Sequence, residues 1–481
     1  MDMKAFRIAV AVLCTGAALA WAQDAPSADP ADAAALADAA AQNPELAGQA
    51  AKLFGFGFDL GVDSLPIPGD LTGANDSYQR FGFKPELNLG AFGVGLDLTL
   101  RAKINLVGPT PIDVYRPDWI PNYLGNGKTF LDVYLPKILF VRYGQRGQGI
   151  YAKLGSIEDL TIGNGFIMGN YSNTRFLPEQ RIFGLGLGLD GSLFKFPYLG
   201  AEFAMGNLSQ IDVLGGRLYT RPLAFMSVPI LQSLEFGGEY VMDLKPYLYG
   251  GTVAAYGGAA VAGAKAQVWG VDAKMTIIPS GPLTMGASAD IAVQEGDRLG
   301  AAIGLAGRII NVITYGAQIR YLPDGFIADY FDSNYDLYRS VKYESLLAAP
   351  SGPPSAGWYA QAGANFLDGK VVFGAALDGP FAAKPAVATS SVSDYPHLKA
   401  SIGTADGLLG GFSINGSYEK YYLGRTAGFW TDLGSPENAQ IGATLSYKTG
   451  LALISLVYNL RYDPALGTFD VTSSLQASVQ Y

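Results

Sequence analysis

Thiols, imidazoles and long apolar runs are all scarce in this chain. Its 481 residues hold one cysteine, Cys14, and one histidine, His397. Only 16% of residues are charged, which is low for a water-soluble protein. With a single cysteine no intrachain disulfide can form, and thiolate metal sites are excluded for an exported form that has lost Cys14. Every serine-histidine hydrolase or histidine metal centre would have to pass through His397, and no G-x-S-x-G elbow occurs, so no enzyme is expected. No metal, nucleotide or other cofactor is implied. Past the start of the chain, no stretch supplies the ~20 uninterrupted apolar residues of a membrane helix. Acidic residues outnumber basic ones, 42 to 33, for a net charge of -9 with no basic run, which argues against nucleic acid as a partner.

What is present is alternation. At the carboxyl end Phe469, Val471, Leu475, Ala477, Val479 and Tyr481 interleave with Asp470, Thr472, Ser474, Gln476, Ser478 and Gln480. A strand has a side-chain period of two, so one face of this segment suits hydrocarbon and the other suits water. The same pattern begins at Leu53, with Phe54, Phe56, Phe58, Leu60 and Val62 against Asp59 and glycines. It recurs in about twenty segments of roughly the 9 to 11 residues that a tilted membrane strand needs; eighteen is the alternative count. One of these segments is placed at Val133 to Tyr143. Numbered in order, the even-to-odd joins are short (Gly90-Ala91, Asp368-Gly369, Lys448 to Gly450), whereas the odd-to-even joins include the long ones, 156 to 180, 244 to 265, 322 to 355 and 420 to 438.

The start of the chain has the pattern of a secretory leader over residues 1–22. Lys4 and Arg7 precede an apolar core from Ile8 to Ala20 and an Ala20-Trp21-Ala22 cleavage site. Export through the Sec pathway is expected, and with it loss of Cys14. Residues 23–52, rich in Ala and Asp, are expected to form a periplasmic linker or short helix.

Taken with the terminal strand and its final aromatic Tyr481, the alternation over 53–481 resembles Gram-negative outer-membrane β-barrels of the porin-like kind. The resemblance implies an all-β fold, a closed antiparallel transmembrane barrel in the cell outer membrane. It also implies contact with lipid, recognition of the last strand by the barrel-assembly machinery, and diffusion of small hydrophilic solutes through an aqueous lumen. Two alternatives stay open. One is a surface adhesion or structural barrel; the other is a hydrophobic-ligand transporter of the fatty-acid type, with residues 24–51 as a hatch.

Charged residues on the non-lipid parity are the expected lumen lining: Lys84, Glu86, Asp97, Arg101, Arg142, Lys153, Glu202, Glu235, Glu239, Asp272, Lys274, Asp290, Arg320, Lys399 and Glu419, with Lys448 and Arg461. They form either a wet mixed-charge wall or a plug of ion pairs. The loop from Leu322 to Ser355 is too long and too aromatic to be a plain connection. Its Tyr330, Phe331, Tyr335, Tyr338, Arg339 and Tyr343 are candidates for a gate if the loop folds inward, or for a surface cap if it folds outward. The loop from Thr161 to Gln180, carrying Gly163-Asn164-Gly165-Phe166 and Arg175, is a second candidate.

Three motifs carry less. Gly186-x-Gly188-x-x-Gly191 matches a dinucleotide pattern but lies on a strand with no helix to follow. Gly125-Asn126-Gly127-Lys128-Thr129 lacks the first glycine of a phosphate loop. Asp332-x-Asn334-x-Asp336 starts like a calcium loop but has Leu337 where glycine is required.

Overall fold

The computed structural model describes residues 54–480 except 71–74, 105–111, 178–179, 249–262, 311, 324, 349–354, 383–390, 427 and 464–466. The expected leader, the 23–52 segment and Tyr481 lie outside the described residues.

Twenty-two strands form one sheet. The first half comprises β1 Phe54–Pro66, β2 Asn75–Leu89, β3 Phe92–Leu96, β4 Leu98–Ile104, β5 Ile112–Val114, β6 Ile138–Tyr143, β7 Ile150–Gly155, β8 Gly184–Asp190, β9 Leu199–Met205, β10 Val213–Thr220 and β11 Glu235–Asp243. The second comprises β12 Ala266–Ile278, β13 Leu283–Gln294, β14 Arg298–Ile309, β15 Ile313–Leu322, β16 Ser355–Phe366, β17 Val371–Pro380, β18 His397–Thr404, β19 Phe412–Lys420, β20 Ala439–Thr449, β21 Ala452–Asp463 and β22 Thr468–Gln480. Pairing is antiparallel throughout, and β1 pairs with β22 from Gly55↔Gln480 to Gly61↔Ser474, so the sheet has no free edge. β3 and β4 share one place in the wall, both paired with β2 on either side of Asp97. β5 and β6 share the next, because β5 pairs with β4 while β6 pairs with β3. The wall is therefore a closed barrel of twenty positions.

The alternation places the greasy side outward. In β11, Phe236 and Tyr240 are 46% and 40% exposed, while their neighbours Glu235 and Glu239 are buried. Val62, Leu218, Val271, Ile303 and Ile319 likewise face out from other strands. This inverts a soluble protein, in which the charged side would meet water and the apolar side a core. A belt of this kind is stable only against lipid, and in lipid a sheet must close because each unpaired backbone group costs several kcal/mol. The chain is an outer-membrane β-barrel of porin-like form.

The loops sort by rim. One rim has tight turns such as 90–91, 279–282 and 450–451, where Gly90 and Gly450 take the left-handed backbone that a side chain disfavours. The other carries 156–183, 323–354, 381–396 and 421–438. Three details differ from expectation. The short-turn rim includes the longer connection 221–234, which holds the helical turn Pro229–Gln232. The long-loop rim includes the tight turn 295–297. The expected strand Val133 to Tyr143 is strand only from Ile138, because Thr129 caps a short helix, Phe130–Tyr134, with its hydroxyl on the Asp132 amide.

The one large apolar cluster lies inside the barrel. Phe166, Ile167, Met168, Tyr171, Phe326, Tyr330, Phe331, Tyr335 and Tyr338, from two long loops, pack against Ala204, Val241, Val268 and Ala292 of the wall. Since Ile303 sits mid-strand on the lipid face, Ile303→Arg should lower unfolding stability in lipid vesicles by ~2–4 kcal/mol. Urea titration followed by tryptophan fluorescence measures the loss.

Candidate functional site

The lumen is shaped by two loops that turn inward. The first, residues 156–183, leaves β7 at Gly155, where a Cβ would lie 2.3 Å from the Leu139 carbonyl oxygen, so only glycine fits. Asn173 ties the neck of this loop: its carboxamide accepts from the Ile157 amide at 2.8 Å and donates to the Gly206 carbonyl at 3.0 Å. Beyond the antiparallel bridge Leu160↔Tyr171, the tip reaches across the barrel. The Gly163 backbone amide donates to Glu202 at 3.0 Å, and the Asn164 side-chain carboxamide donates to Asp290 at 2.9 Å. From the opposite rim, Arg146 donates to the Thr161 carbonyl.

The second loop, 323–354, folds over the first. The Asp329 amide donates to the Phe166 carbonyl at 2.9 Å and the Phe331 amide to that of Ile167 at 3.1 Å, forming a parallel bridge between Met168 and Phe331. The helix Tyr335–Leu347 follows, with Tyr335, Tyr338, Arg339, Ser340 and Lys342 all buried. Arg339 anchors it to the wall, 3.1 Å from Asp212 and 2.7 Å from Asp243, with Asp336 at 3.6 Å on the preceding helical turn. The Tyr335 hydroxyl donates to Asp243 at 2.7 Å, and Arg298 donates to the Leu346 carbonyl at 2.8 Å. Three carboxylates thus share one guanidinium. Burial pushes the Asp336 carboxyl up to about 8, and burial also raises that of Asp212.

The long loops converge at Glu419. Ser333 donates to it at 3.0 Å and Arg175 lies 3.5 Å away. His397 is held between Glu419 at 3.0 Å and Asp378 at 3.2 Å, under the ring of Tyr421 with centroids 4.1 Å apart. The Tyr421 hydroxyl donates to Asp332 at 2.6 Å, and Lys342 pairs with Asp332 at 2.7 Å. The imidazole is a structural junction rather than a base beside a nucleophile. Asp332 and Asp336 of the calcium-like motif are both engaged by protein groups, and no cluster suited to a metal occurs among the described residues. Gly186 and Gly188 lie within β8, and Lys128 is exposed in a rim loop.

The expected lumen residues do not form one site. On β10 to β13, Arg217 pairs with Asp272 at 2.5 Å and Glu235 at 2.8 Å, Lys274 lies 3.7 Å from Glu235, and Glu239 and Asp290 are buried beneath the first loop's tip. On β1 to β4, Lys84 pairs with Asp59 at 3.2 Å and Arg101 with Asp63 at 2.6 Å, and Asp97 is held by Arg181 at 2.5 Å. Arg142 donates to Asn88 at 2.8 Å, while Glu86 and Lys153 are part-buried nearby. Glu202 receives the Gly163 amide. Arg320 bridges Asp329 and Asp378, and Lys399 lies 3.7 Å from Glu419. Arg461 pairs with Asp470 and also donates to the Arg175 carbonyl at 2.6 Å. Strand parity could have added Asp59, Asp63, Arg80 and Arg217. Nothing in the local sequence marks Asp212 and Asp243 as helix anchors. Open volume remains beside the plug, in a cavity of about 440 Å³ between the first loop and the inner wall of β15 to β21.

No protein-family model and no curated protein matches the chain. Among solved structures it is similar to Pseudomonas aeruginosa OccK5 (OpdH), at 12% identity over 89% of this chain and 97% of that one, with a TM-score of 0.33. It is similar to Wzi, an Escherichia coli outer-membrane protein involved in group 1 capsule assembly and described as a carbohydrate-binding β-barrel, at 11% over 96% and 89%, TM-score 0.32. It is similar also to P. aeruginosa OccK1 (OpdK), at 12% over 89% and 97%, TM-score 0.32. At these scores the barrel assignment stands on the chain's own strand pairing.

Two predictions follow from the helix anchor. Arg339→Ala leaves Asp212 and Asp243 buried without their cation and should destabilise the docked loop by about 3–5 kcal/mol, read as proteolytic nicking between 323 and 354. Asp336 binds its proton more tightly docked than free, so docking is strongest below the free carboxyl's pKa of ~3.9 and weakens as pH rises towards about 8. Asp336→Asn should flatten that dependence, measured as the wild-type to variant ratio of hydrogen-exchange protection over 335–347.

Proposed function

We propose that the protein is a channel through which small hydrophilic solutes diffuse down their gradient, with the 323–354 loop as its gate. The observation that carries this reading is the open cavity beside the two inward loops, within a barrel closed to lipid on every side. An open volume lined by both polar and apolar side chains gives a path, and an inward loop narrows it. The charged lumen residues contribute mainly by holding the plug and wall in register, since most of them are paired. Tyr330, Phe331, Tyr335, Tyr338, Arg339 and Tyr343 form the gate's body; its anchors are Asp212, Asp243 and Glu419. We propose no catalytic role. Assembly into the membrane is proposed to use the last strand, whose Phe469, Val471 and Leu475 face outward.

Reconstitution into planar bilayers tests the reading. The wild-type barrel should give discrete openings, and replacing 335–347 with a short Gly-Ser linker should raise the single-channel conductance severalfold. A folded, heat-modifiable barrel that passes no current in either form would retire the channel in favour of a surface-binding barrel.

A further inference from the structure

Most of the ion pairs and the open volume lie on different parts of the wall, and Glu158, Arg175, Lys399, Glu419 and Arg461 border one side of the cavity. On β10 to β13 the acidic and basic side chains are buried under the first loop's tip, whereas the cavity runs along β15 to β21. Residues directly opposite across paired strands share a face, so the register gives the inner wall level by level. One level holds Lys399, Glu419, Gln440 and Arg461, each directly paired with the next. The level towards the short-turn rim holds Ser401, Ser417, Gly442, Asn459 and Thr472. The following level holds Gly403, Asn415, Thr444, Val457 and Ser474, and the one after it Ser413, Ser446, Ser455 and Gln476. Through three successive levels this wall presents hydroxyls, carboxamides and glycines with one valine, Val457, and no ionisable side chain. Across the cavity the first loop adds the hydroxyls of Ser172 and Thr174, with Glu158, Arg175 and Leu177 beside them.

The charges bordering the track lie at its end towards the long-loop rim and on the first loop, most of them engaged by protein partners. Lys399 and Arg175 lie against Glu419, and Arg461 pairs with Asp470. An ion moving along the track would give up water and meet no countercharge, which is costly in a narrow lumen. A hydroxyl-rich neutral molecule exchanges its water contacts for hydroxyl and carboxamide partners at little net cost. Asn415 keeps a buried side-chain oxygen without a hydrogen-bond partner, a free acceptor on this wall for a solute hydroxyl. At about 440 Å³ the cavity lies in the ~300–1,000 Å³ range of small-ligand sites.

We infer that the solutes carried are uncharged and hydroxyl-rich, of monosaccharide size, selected by the Ser401–Asn415–Asn459 track. This inference rests on the channel reading and narrows it. The test uses the full-length protein in phosphatidylcholine vesicles and follows uptake of labelled glucose, glucuronate and glucosamine, which match in size and differ in charge. Glucose should enter about tenfold faster than either ion. Asn415→Asp combined with Asn459→Asp should raise glucosamine entry relative to glucuronate, and Ser401→Asp alone provides an independent variant at another strand. Equal entry of all three sugars, or faster entry of a charged one, overturns the selectivity and leaves the channel standing. Entry of none into vesicles that hold heat-modifiable barrel overturns both.

Discussion

Hydrocarbon offers no hydrogen-bond partner, and the architecture follows from that single fact. Every backbone amide crossing the membrane must find a carbonyl on a neighbouring strand, so β1 has to meet β22. Once the sheet is closed, the period of two assigns each side chain to lipid or lumen with no third choice. The charged residues of this chain, few for its length, are placed inside because an outward Lys or Arg near mid-bilayer costs ~2–4 kcal/mol.

A closed wall of this circumference would enclose more water than a selective channel can use. The chain fills the excess with its own loops rather than with a separate domain among the described residues. Filling a lumen with aromatics exposes the wall's charges to a low dielectric, and the structure meets that cost with specific partners. Arg217 lies between Asp272 and Glu235, Arg339 among three aspartates, and Glu419 under a serine, an arginine and the histidine. The notion of a mixed-charge wall along the solute path therefore separates into two parts. Most charges hold the plug, and the space that is left is lined largely by uncharged residues, with Glu158, Arg175, Lys399, Glu419 and Arg461 on its border.

Much of the barrel was legible in the sequence. Alternation is local, so all twenty wall positions, the terminal strand and most loop lengths could be read along the chain. The exceptions are also physical. A capping box at Thr129 overrode the alternation that suggested a strand from Val133, and the 221–234 connection broke the rule of short turns. The site was readable only in fragments. The aromatic run from Phe326 to Tyr343 marked the second loop as unusual, but whether it turned inward depended on Asp212 and Asp243, about a hundred residues away and unremarkable in context. Lumen positions could be named by parity, whereas their pairing and the placing of uncharged levels beside the cavity depend on register across many strands.

The parallel bridge between Met168 and Phe331 has a mechanical consequence. Main-chain hydrogen bonds join the first loop to the second at the centre of the barrel. Neither can withdraw without breaking that seam or dragging the other along. The two loops are thus tied into one unit across the lumen, so a change imposed on either is felt by both.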